Sequence, residues 1–96
     1  MKGIHQGKDN QTKLLYKAIL SLKTIEECQA FFRDLLTLEE ITEMSKRWQA
    51  ARLLSQHLPY RIVAKKTGLS TTTVARVAQW LYHGEGGYKL VLKRIR

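Results

Sequence analysis

Apolar residues recur at three- and four-residue steps along most of this chain, the period of an amphipathic helix. Leu14, Leu15, Ala18, Ile19 and Leu22 form one stripe and predict a first helix from about Asn10 to Ser21. Residues 1–9 carry no apolar stripe, and a flexible N-terminus is expected there. Thr24 followed by Glu27 is a capping-box pair, because a hydroxyl and a carboxylate can satisfy the free N–H groups of a helix start. It predicts a second helix to about Leu36 with Ile25, Cys28, Phe31, Phe32 and Leu35 on its inner face. Thr37 with Glu40 repeats the signal and opens a long third helix to about His57, carrying Ile41, Met44, Trp48, Ala51, Leu54 and Leu58. Pro59 disfavours helix at Leu58 and suits the start of the next element. Strand-like alternation is short, so the expected fold class is all-α. No internal repeat or low-complexity stretch interrupts residues 10–96, which are expected to form a single domain.

Tyr60 to Leu81, YRIVAKKTGLSTTTVARVAQWL, has a narrower pattern. Val63 and Ala64 fall on one face of a short helix, and Ala64 is small where two helices would cross. Gly68 falls where the chain must reverse, since glycine takes positive φ without steric cost. Leu69 packs that turn and Ser70 can cap the following helix. Val74 and Val77 face inward, while Thr71, Thr72, Thr73, Arg76 and Gln79 are left outside. The spacing is that of a helix-turn-helix. Its outer groups are hydroxyls, a guanidinium and an amide, which reach phosphates and base edges. Thr67 is off-type, at a position where an apolar residue is usual. A helical hairpin with only a structural role also carries a glycine turn, but here the small, turn and apolar positions all agree with the motif.

Charge sharpens the picture. The net charge of +9 is uneven: residues 60–96 hold eight Lys and Arg against one acid, Glu85, whereas residues 22–45 hold two bases against six acids. A positive field centred on the motif suits a polyanion partner. Arg61 and Arg76 are candidates for guanine readout or phosphate clamping, and Lys65, Lys66, Lys89, Lys93 and Arg94 for phosphate contacts. The expected DNA-contacting set is Arg61, Lys65, Ser70, Thr71, Thr72, Thr73, Arg76 and Gln79. A helical interaction module with an acidic protein partner is the alternative, separated from the first reading by DNA binding itself.

Enzyme chemistry is not expected. His5, His57 and His83 are scattered, and none stands with Cys or carboxylate at metal-ligand spacing. His57 suits a helix end, and Glu39, Glu40 and Glu43 suit the first turns of a helix. Gly84, Gly86 and Gly87 follow a helix instead of a strand, so they read as a helix stop before a last helix, Tyr88 to Ile95, and not as a phosphate loop. Cys28 is alone and cannot form an internal disulfide. No run of about 18 apolar residues or signal-like N-terminus occurs, so a cytoplasmic protein without membrane partners is expected. Phe31, Phe32, Trp48 and Trp80 are a heavy apolar load for 96 residues, and burial against a second copy is expected. A paired helix-turn-helix would read two half-sites about one DNA turn apart.

The order of these helices, the long helix containing Ala51-Arg52-Leu53-Leu54, and the motif with Gly68, Thr73 and Arg76 resemble the Trp-repressor superfamily. The stretch GEGGYKLVL, Gly84 to Leu92, resembles its YerC/YecD branch of uncharacterised proteins. The resemblance implies a Trp-repressor-like helical domain, an intertwined homodimer and transcriptional control. It implies a base-reaching role for Arg61 and DNA contact by Thr73, with Thr71 and Thr72 at adjoining positions where the repressor has apolar groups. Arg47 and Arg76 resemble the arginines that flank the corepressor, Arg47 once a one-residue gap is placed between the helices. Val77 stands where the repressor has a glycine that leaves room for the indole ring. Its isopropyl group would project into that space, so a tryptophan corepressor is not expected. Another small effector, or none, is expected instead, and Arg76 is expected at a phosphate.

Overall fold

A computed structural model describes the backbone of residues 2–95 and the side chains of residues 9–95. Among the described residues there are six helices and no strand: α1 (Lys2–Leu20), α2 (Ile25–Leu35), α3 (Leu38–Ser55), α4 (Tyr60–Thr67), α5 (Thr71–His83) and α6 (Gly87–Arg94). The all-α expectation holds. The chain divides into two compact units, Met1–Thr37 and Leu38–Arg96.

In the first unit, α1 begins at Lys2, ahead of the expected start at Asn10, so much of the stretch expected to lie outside a helix is helical. Met1 lies outside the described residues, as do the side chains of residues 2–8, His5 among them. The stretch contains no proline, and a glycine such as Gly3 or Gly7 lowers helix propensity by about 1 kcal/mol without removing a hydrogen bond. The second helix starts as its capping pair predicts. Thr24 Oγ1 accepts the Glu27 N–H at 3.0 Å, and Glu27 Oε1 accepts the Lys23 N–H at 2.8 Å. Phe31 and Phe32 meet edge to face, with ring centroids 5.6 Å apart. No residue of α2 is buried, and Ile25 and Leu35 are exposed. Cys28 is a half-buried free thiol.

The second unit holds the core. Ala50, Ala51 and Leu54 of α3 meet Val63 of α4, Leu69 of the turn, and Val74, Val77, Ala78 and Leu81 of α5. Trp48, Leu53, Leu58, Ala64, Tyr88 and Leu92 pack around them. Trp48 stacks on Tyr88 at 6.2 Å between centroids, tying α6 to α3. The Tyr82 hydroxyl donates to the Leu54 carbonyl at 3.2 Å, tying α5 to the end of α3. Trp80, by contrast, is 47% exposed.

The third helix stops at Ser55, short of the expected His57. The His57 N–H donates to the Leu54 carbonyl and the Leu58 N–H to the Leu53 carbonyl, with His57 at φ 66°. This is the hydrogen-bond pattern of a Schellman cap, with histidine in the left-handed position glycine usually takes. At the far end of α5, a Cβ at Gly84 would stand 2.4 Å from the Trp80 carbonyl oxygen. No real side chain tolerates that approach, so glycine is required for the stop. The last helix starts at Gly87, one residue ahead of the expected Tyr88.

Candidate nucleic-acid interface

The motif is assembled from local signals and then held by the core. Pro59 stands at the N-cap of α4 with φ −62° and ψ 150°, and its carbonyl accepts the Ile62 and Val63 N–H groups at 3.0 Å each. Val63 is fully buried and anchors α4, which leaves Tyr60, Arg61, Lys65 and Lys66 exposed. Gly68 closes the helix at φ 80° and ψ 8°, with its N–H on the Ala64 carbonyl at 2.9 Å. The glycine read as the reversal point therefore occupies the left-handed conformation.

Thr67, the off-type residue, is 9% exposed and fully bonded. Its hydroxyl donates to the Val63 carbonyl at 2.8 Å and accepts the Leu69 N–H at 3.2 Å. An apolar residue would fill the same space, but the Leu69 N–H would lose this acceptor. Threonine fits because its methyl packs while its hydroxyl bridges the helix end and the turn.

Ser70 caps α5. Its Oγ accepts the Thr73 N–H at 3.1 Å and donates to Thr73 Oγ1 at 3.0 Å. Val74, Val77, Ala78 and Leu81 turn inward. The outer face carries Thr71, Thr72, Arg76 and Gln79, all exposed, with Thr73 half-buried. The structure thus brings Arg61, Lys65, Ser70, Thr71, Thr72, Arg76 and Gln79 to the surface of one motif. Thr73 differs from the other threonines in having its hydroxyl engaged by the cap.

The three residues considered for a ligand pocket are arranged differently. Arg47 is half-buried on α3 and Arg76 is exposed on α5. Val77 is 0% exposed and belongs to the core. A groove of about 950 Å³ lies elsewhere in this unit, lined by Trp48, Arg52, Ser55, Gln56, His57, Leu81, Tyr82, Lys89, Leu92, Lys93 and Ile95. None of Arg47, Arg76 and Val77 lines it. Among the described residues, no group of three or more His, Cys, Asp or Glu side chains could hold a metal ion. Nor is any helix long and apolar enough to cross a membrane.

Lys46 is a residue the sequence pattern does not single out. It lies on α3, remote from the motif in the chain, but its side chain ends beside Gly68. Only the packing of α3 against the motif could reveal this.

An all-helical unit with a glycine-turned, serine-capped helix pair and a polar, basic outer face defines a helix-turn-helix protein. Comparison with known proteins gives the family. The model of the Trp repressor protein family matches residues 10–96, and the chain belongs to that family. It is 40% identical over 82 residues to the uncharacterized protein YerC of Bacillus subtilis (strain 168), covering 85% of this chain and 79% of that one. A TrpR-like protein from Eubacterium eligens ATCC 27750 has a similar solved structure, with a TM-score of 0.87 and 41% identity, covering 90% of this chain and 89% of the other. A putative Trp repressor from Staphylococcus aureus superposes with a TM-score of 0.85 at 37% identity, covering 90% and 86% of the two chains. The family is one of regulators and not of enzymes, and membership suggests a DNA-binding regulator.

Proposed function

We propose that this chain is a sequence-specific, DNA-binding transcriptional regulator, acting as a homodimer through the helix-turn-helix at residues 60–81. The observation that carries the reading is the division of α4 and α5 into two faces. Val63, Val74, Val77 and Ala78 are buried, while Arg61, Lys65, Thr71, Thr72, Arg76 and Gln79 stand exposed beside them. The core holds the backbone, and the outer face offers groups that bind phosphates and read bases. A double-stranded DNA partner also accounts for the net charge of +9 and its concentration over the motif. We place its site of action in the cytoplasm.

The homodimer rests on unpartnered apolar surface. Every residue of α2 is at least partly exposed, with Ile25 at 73%, and Trp80, Leu90 and Val91 are exposed in the second unit. An 11-residue helix such as α2 is marginal in water without a packed face. A second copy would cover these groups and present two motifs to adjacent half-sites.

Tryptophan is not proposed as corepressor. The isopropyl group of Val77 is a core residue at 0% exposure, and no effector is assigned.

Selection of duplexes from a random pool, with and without a mixture of amino acids, tests the proposal. Enrichment of a two-fold-symmetric motif is expected, with affinity falling steeply as salt rises. Arg61→Ala is expected to weaken the selected site more than a random duplex. Equal loss on both would reduce Arg61 to a phosphate contact. No enrichment in either condition, with no binding to genomic fragments at low salt, would instead favour an interaction module for an acidic protein.

A further inference from the structure

The surface described above is drawn from α4 and α5, yet α3 also delivers a cation to it. A Cβ added at Gly68 would stand 3.6 Å from Lys46 Nζ and 3.8 Å from Lys46 Cε. The Lys46 ammonium therefore lies over the reversal between the two motif helices. The residue is half-buried, so its stem lies against the unit while its charged end reaches the turn. No carboxylate pairs with it among the described residues.

The residues on either side of Gly68 in the chain are suited to a phosphodiester. Lys65 and Lys66 occupy the last turn of α4 on one side of Gly68. On the other side, Ser70 caps α5, and Thr71 and Thr72 expose hydroxyls at the start of that helix. We propose that Lys46 is a phosphate contact supplied from outside the helix-turn-helix. It holds the DNA backbone at the α4–α5 turn while side chains of α5 face the bases. The inference rests on the DNA-binding reading and adds to it a positioning contact whose partner is the sugar-phosphate backbone of either sequence.

A purely structural role is the competing explanation. An ammonium at the end of α4 also complements the negative end of that helix dipole. The two roles differ in their response to salt. Each phosphate neutralised on duplex DNA contributes about 0.9 to the slope of log K against log salt.

The test uses the full chain, its selected duplex and a random duplex, with anisotropy measured across a salt series and thermal unfolding measured in parallel. Lys46→Met keeps the stem and removes the charge. It is expected to lower the slope by about 0.9 for each Lys46 in the complex and to weaken both duplexes alike. Lys46→Arg is expected to retain the slope. If Lys46→Met does not fold, Lys46→Gln takes its place in the same comparison. An unchanged slope in the neutral variant, with or without a shift in unfolding temperature, would overturn the proposal and leave only the dipole role. Absence of binding by the unmodified chain would instead overturn the DNA-binding reading itself.

Discussion

The Ser70 hydroxyl is committed to Thr73. It accepts the Thr73 backbone N–H at 3.1 Å and donates to Thr73 Oγ1 at 3.0 Å. One side chain thus satisfies a free N–H at the start of α5 and orients a hydroxyl on the face proposed to read DNA. Stability and recognition meet at this pair and can be separated by substitution. Ser70→Ala is expected to cost about 1 kcal/mol of stability, the usual loss for a cap. Ser70→Asp keeps an accepting oxygen and is expected to retain most of that stability. Its negative charge, however, is expected to repel a phosphate backbone. Urea unfolding beside DNA anisotropy checks both, and an Asp variant that binds DNA as tightly as the original would remove Ser70 from the interface.

Thr67 supplies the next prediction. Thr67→Val conserves shape and adds apolar area, yet it removes the acceptor for the Leu69 N–H at a buried turn. The expected loss is about 1–3 kcal/mol, the cost of leaving a buried donor unsatisfied. Thr67→Ser keeps the hydroxyl and should lose less. Denaturant titration of the two variants would show the reverse order if the methyl group mattered more than the hydrogen bond.

At His57 the expected change is stabilising. The residue holds φ 66° at the end of α3, a conformation that costs a side-chain-bearing residue more than glycine. His57→Gly removes a left-handed penalty of about 1–2 kcal/mol, offset in part by the greater backbone entropy glycine loses, about 0.5–1 kcal/mol, and is expected to give a net increase in Tm. A fall in Tm would mean that the imidazole makes contacts worth more than the backbone strain.

Val77 allows two measurements. Val77→Ala removes buried methyl groups from a position at 0% exposure and is expected to cost about 2–3 kcal/mol. Addition of L-tryptophan to the unmodified chain is expected to leave Tm unchanged. A ligand at 100 times its Kd would stabilise the native state by about 2.7 kcal/mol, so binding could not pass unnoticed. A clear rise in Tm would reinstate tryptophan as an effector.

Helix order and the turn chemistry were legible because they depend on near neighbours in the chain. Thr24 and Glu27 cap α2, Gly68 reverses the motif, and Ser70 caps α5, each within a few residues of its partner. The start of α1 was less legible, since a polar run without periodicity leaves no mark of where helix begins.

The surface set was legible for a related reason. Once Val74 and Val77 face inward, helical periodicity sends Arg76 and Gln79 outward. Periodicity places Thr73 on that surface but does not show its engagement by Ser70, because a cap bond and a DNA contact call for the same hydroxyl.

By itself the sequence determined an all-α chain with a helix-turn-helix at residues 60–81 and a basic half around it. These follow from local hydrogen bonding, side-chain periodicity and charge order, none of which needs a partner element. The tertiary structure alone decided that Thr67 is a buried bridge and that Lys46 ends beside Gly68. It alone put Trp80 outside the core, while Val77 is buried as its periodicity predicts. Each depends on what a distant helix brings to a position, and crossing helices meet through packing geometry that no short stretch of sequence encodes.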